Sequence, residues 1–455
     1  MTDSALLQMI QQWLEHDDTT AINARLADLP DQDVAKLLAG LSSEEQARVI
    51  ALLPEERSAN VFSYLHTEQQ GKLLQELDNT DQAALISELP YDDATALLEE
   101  LPDEHSELLM GLLEPEDQAV LQNLLAWPEE SAGRLMTPEF VAVRPDWTVE
   151  QALDKVRDWC EERETVNTVF VTSNRGQLFG TLSLKQLLLA QPERHIDSLL
   201  GDDLVLIEAH EDQEEVARLF HHYDLEVLPV VNGHGTLVGI ITVDDILDVV
   251  EEETTEDFHK MGSVGVLNLS LRHASPSLLY RKRIGWLVIL VLVNLLSGAA
   301  IAIFETAIEA VVALVFFLPL VIATGGNAGS QASTLMVRAL ATGDVQSRDW
   351  FRLWGKELGV SAALGITLGL AVWLPATWLG GSEIGSEVGQ AVAIAMALVV
   401  VLGSMVGMLL PFILTRFKLD PATASGPLIT SVADVVGILI YFSVATAILS
   451  VTLAT

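Results

Sequence analysis

Five long apolar stretches in residues 281–455 constrain this chain more than any other feature of its sequence. Most are about twenty residues or longer, and the second continues directly into a glycine-rich run. A helix rises about 1.5 Å per residue, so about twenty apolar residues cross a hydrocarbon core of about 30 Å. The pattern predicts five membrane-spanning helices, at Ile284–Phe304, Ala310–Thr324, Leu358–Leu379, Val388–Leu414 and Pro427–Ser450.

Basic residues mark alternate ends of these stretches. Arg281–Arg283 precede the first, residues 338–356 carry four more between the second and third, and Arg416 and Lys418 follow the fourth. The positive-inside rule therefore predicts that the preceding part of the chain lies in the cytoplasm and that the C-terminus lies outside. Met1–Thr20 has no basic segment followed by an apolar core, so a cleaved signal peptide is not expected.

Charge divides the chain in two. Its formal net charge is −39, and residues 281–455 contain nine Asp or Glu and nine Lys or Arg, so the whole excess lies in residues 1–280. Such acidity repels nucleic acid, which excludes it as a partner, and concentrates cations. A solvated acidic surface or a salt-adapted source explains the charge equally well. Cys160 is the only cysteine, so no disulfide framework or Cys-rich metal site is expected.

A twelve-residue repeat runs through residues 20–125. Pro followed by acids, as in Pro30-Asp31 and Pro54-Glu55, is typical of helix starts. Each unit predicts one helix of about two turns, and such short helices bury their apolar stripes only by stacking into a solenoid. A passive scaffold, a partner-binding surface and a sensing role all remain open. The repeating leucines are Leu29, Leu41, Leu53, Leu65, Leu77, Leu89, Leu101 and Leu113.

Residues 130–252 read as two copies of a strand–helix module that resembles a tandem pair of cystathionine-β-synthase (CBS) regulatory domains. The second copy carries Gly239-Ile-Ile-Thr242-Val-Asp-Asp245, similar to that family's nucleotide contact, which implies Thr242 and Asp245 as ligands. In the first copy Gln186 replaces the aspartate. Bound ATP and a nucleotide-free dimerising module both remain open. The predicted elements are strands Phe140–Val143, Thr168–Thr172, Leu178–Leu182, Leu204–Glu208, Val227–Val231 and Leu237–Thr242, and helices Val149–Cys160, Leu184–Leu189 and Gln213–His222.

An acidic helix is predicted at Val243–Val264, between the paired modules and the first span. Asp245, Asp248, Glu252 and Glu256 share one face of this helix. Like charges at these spacings repel each other, and a hard divalent cation such as Mg²⁺ or Ca²⁺ would reverse that penalty. The alternative is an acidic face that is simply solvated.

Two polar features interrupt the apolar stretches. Asp434 lies well inside the last one, where a carboxylate costs roughly 2.5–3.5 kcal/mol unless it faces a partner, water or an ion. Thr430 and Ser431, one turn earlier, could add hydroxyls. Glycines at Gly325–Gln331 predict an unwound helix that lines a cavity, with Asn327 adding an amide oxygen, or else a tight turn. A structural hydrogen bond to a neighbouring span is the alternative for Asp434.

These stretches together resemble the MgtE family of magnesium channels and transporters. The resemblance implies a multidomain membrane protein: an all-α solenoid (1–128), an α+β tandem CBS pair (129–252), a connecting plug helix (253–280) and a five-helix transmembrane domain (281–455). It is carried by residues 131–136, Val243–Gly262, Gly325–Gln331, Asp420-Pro421-Ala422 and Gly426–Tyr441.

The resemblance further implies a homodimer in the inner membrane that moves Mg²⁺ through a pore on its two-fold axis. Asp434 matches the family's selectivity aspartate, with Asn327, Thr430 and Ser431 beside it. High cytoplasmic Mg²⁺ is expected to close the pore by bridging acidic residues of the cytoplasmic domains. The implied regulatory ligands are Asp92 or Asp93, Asp212, Glu214, Asp224, Asp245, Asp248, Glu253, Glu256 and Asp257.

A membrane-anchored receptor, with the solenoid as a docking surface, is the rival hypothesis, and it predicts that Asp434→Ala is tolerated. The sequence contains no His-Glu-x-x-His, no Gly-x-Ser-x-Gly and no phosphate-cradling glycine loop, so an enzyme is not expected.

Overall fold

The structure is a computed structural model that describes residues 3–16, 18–65, 67–159, 165–201, 203–267, 271 and 274–453. Cys160 therefore lies outside the described residues. The chain forms two compact units, residues 1–250 and residues 251–455, and each is described by itself. The finer division into four domains stays a prediction.

Short helices build the N-terminal part of the first unit. Pro30, Pro54, Pro90 and Pro102 each occupy the N-cap, one residue before the predicted position, with extended backbone angles. Acids then fill the first turn, where they complement the helix dipole. A longer helix, α1 Asp3–Glu15, comes first and was not predicted. The short helices predicted in residues 20–125 are confirmed: α2 Thr19–Leu26, α3 Asp31–Leu38, α4 Ser43–Ile50, α5 Glu55–Ser63, α6 Thr67–Leu74, α7 Asn79–Ser87, α8 Tyr91–Glu100, α9 Asp103–Met110 and α10 Pro115–Leu125.

Alternate helices of this solenoid pack against each other: α3 on α5, α4 on α6, and so on to α8 on α10. The last turn of each helix supplies its buried pair, such as Val49 with Ile50, Val61 with Phe62 and Leu73 with Leu74. These pairs recur every twelve residues because one helix and its turn occupy twelve residues. One continuous core therefore runs through the repeats.

A polar ladder with the same spacing holds successive helices together. Gln46, Ser58, Gln70 and Gln82 are all buried. Gln82 donates from Nε2 to the carbonyl oxygens of Leu74 (2.6 Å) and Leu77 (2.8 Å), and the other three make equivalent bonds to the preceding helix. Each side chain thus satisfies carbonyls that the end of a helix leaves without a partner.

Two similar three-stranded sheets follow the solenoid, as predicted. In each sheet the first strand pairs parallel to the second, and the second pairs antiparallel to the third. The first strand of each copy is only two residues long, shorter than predicted. A short helix α11 (Ala132–Leu135) precedes them, and the elements are β1 Ala142–Val143, α12 Val149–Trp159, β2 Thr168–Thr172, β3 Leu178–Ser183, α13 Leu184–Leu189, β4 Ile207–Glu208, α14 Gln213–Tyr223, β5 Val227–Val231 and β6 Leu237–Thr242.

The connecting helix α15 (Val243–Met261) begins directly after β6 and runs without a break for 19 residues. It ends three residues before the predicted position. Gly262 and Val264 donate to the carbonyls of Phe258 and His259, and Ser263 has a positive φ of 54°, which stops the helix.

Long apolar helices form most of the second unit, and five of them have the length and hydropathy of membrane spans. All five are longer than the predicted spans, because residues beyond the apolar stretches, including basic and glycine residues, remain helical. They are α16 Pro276–Ile303, α18 Ala313–Ala341, α19 Trp350–Leu379, α20 Gly381–Arg416 and α21 Gly426–Leu453, with a short α17 at Glu305–Ala310. α20 packs against α18, α19 and α21, so it lies at the centre of this helix group.

The glycine run at Gly325–Gln331 does not unwind, so that prediction was wrong, and so was the alternative of a tight turn. α18 is helical from Ala313 to Ala341. A Cβ on Gly403 would lie 2.3 Å from the carbonyl oxygen of Gly325, and one on Gly407 would lie 2.0 Å from that of Gly329. The glycines therefore let the backbones of α18 and α20 touch, as small residues do between membrane helices.

Candidate ion pathway and acidic sites

Asp434 lies two turns into α21, inside the fifth candidate span. Its side chain is half-buried. Among the residues that the structure describes, no side chain forms a hydrogen bond or ion pair with its carboxylate. The alternative of a structural hydrogen bond to a neighbouring span therefore has no partner there. A charge in this position needs water, an ion or a second chain.

The other predicted pathway residues lie near Asp434, on α21 and α18. Thr430 is half-buried and its hydroxyl donates to the carbonyl of Pro427 at 2.9 Å. A Cβ on Gly326 would lie 3.0 Å from Thr430 Cγ2, so the helix turn that carries the exposed Asn327 is close to Thr430.

Ser431 differs from its neighbour. It is only 3% exposed, and its hydroxyl also donates to the carbonyl of Pro427, at 2.9 Å. The structure thus places Ser431 inside the helix group, away from the accessible side that carries Asn327.

A cluster of carboxylates forms where α8 approaches the start of α15 within the first unit. Burial, followed by the charges of Asp245, Asp248 and Asp244, raises the pKa of Asp93 to about 6. Burial also raises the pKa of Asp245, although the hydrogen bonds that this carboxylate accepts from Thr242 lower it in part. Both shifts arise from burial first and from neighbouring carboxylates second, so like charges lie close together at this place. Asp92 and Asp93 were the two candidates in the solenoid, and the acids of α15 raise the pKa of Asp93. The Asp92 carboxylate accepts a hydrogen bond of 3.1 Å from the backbone amide of Asp93.

Thr242 and Asp245, the expected nucleotide contacts, bind each other. The Thr242 hydroxyl donates to the Asp245 carboxylate, and the Thr242 amide lies 3.4 Å from the same oxygen. This pair caps the first turn of α15. Asp245 therefore belongs to the helix cap and to the acidic cluster at the same time.

Asp212, Glu214 and Asp224 lie at the two ends of α14 and are exposed. Asp212 is the N-cap and accepts a hydrogen bond from the Glu214 amide at 2.9 Å, whereas Asp224 ends the helix with a φ of 50°. Twelve helical residues span about 18 Å. One ion therefore cannot contact both ends of this helix within a single chain.

The predicted acids near the end of α15 adjoin the loop before the fifth span. Lys260 Nζ lies 2.6 Å from both Glu256 Oε1 and Asp420 Oδ2. Burial, followed by the charge of Asp420, raises the pKa of Asp257 to about 6, although Lys260 and Arg338 act against that rise. Glu253, one turn earlier, is half-buried.

No group of three or more His, Cys, Asp or Glu side chains converges closely enough to hold a metal ion among the described residues. Two acids of these places, Asp244 and Asp420, were not among the predicted ligands. Asp244 follows the motif threonine by two positions, and Asp420 begins the Asp-Pro interruption, so both lay within patterns already recognised.

Comparisons with known proteins match the chain along most of its length. Residues 318–444 match the MgtE family, described as divalent cation transporters, residues 29–130 match the MgtE intracellular N domain, and residues 132–193 and 196–252 match the CBS domain. The magnesium transporter MgtE of Thermus thermophilus is 42% identical over 322 residues, 71% of each chain. The chain belongs to the MgtE family. The resemblance and the fold class inferred from the sequence are confirmed.

Other MgtE proteins are also similar to this chain. The magnesium transporter MgtE of Bacillus subtilis is 35% identical over 71% of each chain. A crystal structure of the cytosolic domain of the Mg²⁺ channel MgtE in complex with ATP is 37% identical, with a TM-score of 0.51, over 53% of this chain and 99% of that one. The MgtE relatives are transporters, so the expectation that the chain is not an enzyme is confirmed.

Proposed function

We propose that this MgtE protein is a Mg²⁺-selective channel or transporter that moves Mg²⁺ across the inner (cytoplasmic) membrane. The magnesium transporters to which it is similar support the choice of ion. The observation that carries the proposal is Asp434, a half-buried carboxylate inside a span with no partner among the described residues. A membrane-anchored receptor has no use for such a charge.

The pathway in this proposal lies between two copies of the chain. One Asp434 offers too little negative charge for a divalent ion, and a two-fold axis beside α21 would bring a second copy opposite the first. Both carboxylates would hold Mg²⁺ through its water shell, because this ion gives up its waters reluctantly. Thr430 and Asn327 would add a hydroxyl and an amide oxygen to the same path. The basic residues at alternate span ends support an orientation in which the first 280 residues lie in the cytoplasm and the C-terminus lies outside.

The test is Mg²⁺ uptake into proteoliposomes by Asp434→Ala and Asp434→Asn. Both changes are expected to remove most of the flux or its preference for Mg²⁺ over monovalent ions. Glu357→Gln is the matched control, because Glu357 is another half-buried carboxylate within a candidate span. If Asp434→Ala transports Mg²⁺ as the unchanged protein does, the pathway proposal is wrong and the receptor hypothesis gains.

Closure by cytoplasmic Mg²⁺ is the second part of the proposal. Burial and neighbouring carboxylates raise the pKa of Asp93 and of Asp257 to about 6, so like charges lie close together in the Asp93–Asp244–Asp245–Asp248 cluster and near the end of α15. Bound Mg²⁺ would neutralise these sites and favour the compact, closed state. An ion shifts this equilibrium only by its difference in affinity for the two states, so several weak sites acting together would give a steep response.

A variant with Asp245, Asp248 and Glu256 all changed to Ala tests this part. It is expected to conduct at internal Mg²⁺ concentrations that close the unchanged protein. The control changes the exposed solenoid acids Glu55, Glu56 and Asp103 to Ala, which removes the same charge elsewhere. Normal closure of the first variant would show that these acids do not sense Mg²⁺.

The CBS pair is the proposed place for ATP, because a related cytosolic domain was crystallised with it. Thr242 and Asp245 would exchange their mutual hydrogen bond for bonds to the nucleotide. The test is titration calorimetry with ATP, in which the unchanged protein is expected to bind and Thr242→Val to bind more weakly. If the variant binds ATP with the affinity of the unchanged protein, this site is excluded.

A further inference from the structure

Lys260 joins the end of α15 to the loop that precedes the fifth span. Its ammonium lies 2.6 Å from Glu256 on its own helix and 2.6 Å from Asp420 in the loop. The three side chains are 25%, 23% and 32% exposed, so water screens this bridge less than it screens a surface ion pair.

The surrounding contacts form a compact joint. The hydroxyls of Ser263 and Ser425 lie 2.7 Å apart and are buried. Met261 packs against a small apolar cluster of Val337, Ala422 and Ala424. The position of the helix end on the loop is therefore defined by packing as well as by charge.

The charges at this joint do not balance within the described residues. Glu256, Asp257 and Asp420 contribute three carboxylates, and Lys260 contributes the ammonium that bridges two of them. Arg338 acts on Asp257 through space but is exposed, so its charge is better screened. Without the ammonium, the helix end and the loop would repel each other.

We propose that Lys260 is a built-in cation that holds the connecting helix on this loop when no divalent ion is bound. It is a positioning residue. Its single positive charge neutralises carboxylates at this joint, which is the role that the proposed function gives to Mg²⁺. The joint therefore remains assembled at low Mg²⁺, and the divalent ion adds to a contact that already exists. This extension rests on the proposed Mg²⁺ control, but the bridge can be tested without measuring transport.

The test is a disulfide between Ser263→Cys and Ser425→Cys in a full-length Cys160→Ala background, where the near contact of the two hydroxyls permits cross-linking. With Lys260 present, the cross-linking rate is expected to be nearly the same in EDTA and in saturating Mg²⁺. With Lys260→Met, the rate in EDTA is expected to fall roughly two-fold, because a ten-fold lower equilibrium constant takes a contact that is about 90% formed to about half formed, and Mg²⁺ is expected to restore it. Lys260→Arg should keep the rate independent of Mg²⁺.

Lys418→Met is the matched control, because it removes the same charge from an exposed position in the same loop. It should behave like the parent. The proposal is wrong if Lys260→Met cross-links at the parental rate in EDTA. It is equally wrong if Mg²⁺ fails to restore the rate, because the lysine would then have only a structural role. Since no flux is measured, these outcomes are separate from a failure of Asp434 to support transport.

Discussion

Replacing Asp93 by Asn tests whether the first unit holds an uncompensated charge that a cation would neutralise. Asp93 lies in the first turn of α8, and burial together with Asp245, Asp248 and Asp244 raises its pKa from 3.8 to about 6. Asparagine keeps the size and the hydrogen-bonding oxygen of the side chain but carries no charge at any pH.

The magnitude follows from the shift. A pKa that rises by about two units corresponds to a free-energy penalty of at most about 3 kcal/mol on the folded state near pH 7. Folding raises the pKa of this carboxyl group, so the charged form is less stable in the folded state than in the unfolded state. The penalty is absent below the unfolded pKa of 3.8, where both states are protonated, and it reaches its full size as the pH rises through about 6, so stability is lost over that range. For a unit of this size, removing the penalty should raise Tm by about 5–10 °C.

The assay is thermal unfolding of a fragment comprising residues 1–261, since related cytosolic domains crystallise on their own. In EDTA, Asp93→Asn is expected to unfold at a higher temperature near neutral pH and to lose this advantage as the pH falls to about 4. Mg²⁺ should then stabilise the variant less than the unchanged fragment, because stabilisation follows the difference in binding between the folded and unfolded states.

Asp81→Asn is the matched control. Asp81 occupies the same position of the twelve-residue repeat, in the first turn of α7, but is exposed. It should change neither Tm nor the effect of Mg²⁺ measurably. The reasoning is refuted if Asp93→Asn lowers Tm in EDTA near neutral pH, or if Mg²⁺ stabilises both fragments equally.

Two further predictions concern packing. Gln82→Leu should lower the stability of the same fragment by about 1–3 kcal/mol, because two carbonyls of the preceding helix lose their donor; chemical unfolding should show no such loss for the exposed Gln32→Leu. Gly407→Ala should lower the thermal stability of the full chain in detergent, because its Cβ would lie 2.0 Å from the Gly329 oxygen. Gly298→Ala, with open space around it, should be neutral or stabilising, and equal effects of the two changes would argue against the close approach of α18 and α20.

Local patterns determined much of the architecture. The solenoid could be predicted because each twelve-residue unit contains its own start signal, apolar stripe and end. The strands at Thr168–Thr172 and Val227–Val231 were predicted with the correct bounds, because they are short runs of apolar and β-branched residues. The spans and Asp434 were visible for the same reason, since length and hydropathy are properties of consecutive residues.

The glycine run shows where local reasoning stopped. Gly325 and Gly329 belong to a glycine-rich segment of the kind that breaks helices. They remain helical because the backbone of α20 packs directly against them. Nothing in the neighbouring sequence distinguishes the two outcomes. Ser431 is similar: it lies beside Thr430 in the chain, but only the packing of the helices buries it.

The sequence by itself therefore determined most of the helices, strands and spans, though not the helical state of the glycine run, and which residue types could bind a cation. Only the tertiary structure distinguished Asp93 from Asp81, which occupy the same position of the repeat, and placed Lys260 between Glu256 and Asp420. The physical reason is that periodicity depends on neighbours along the chain. The free energy of a charge depends instead on every group within a few ångströms, including those that lie far away in the sequence.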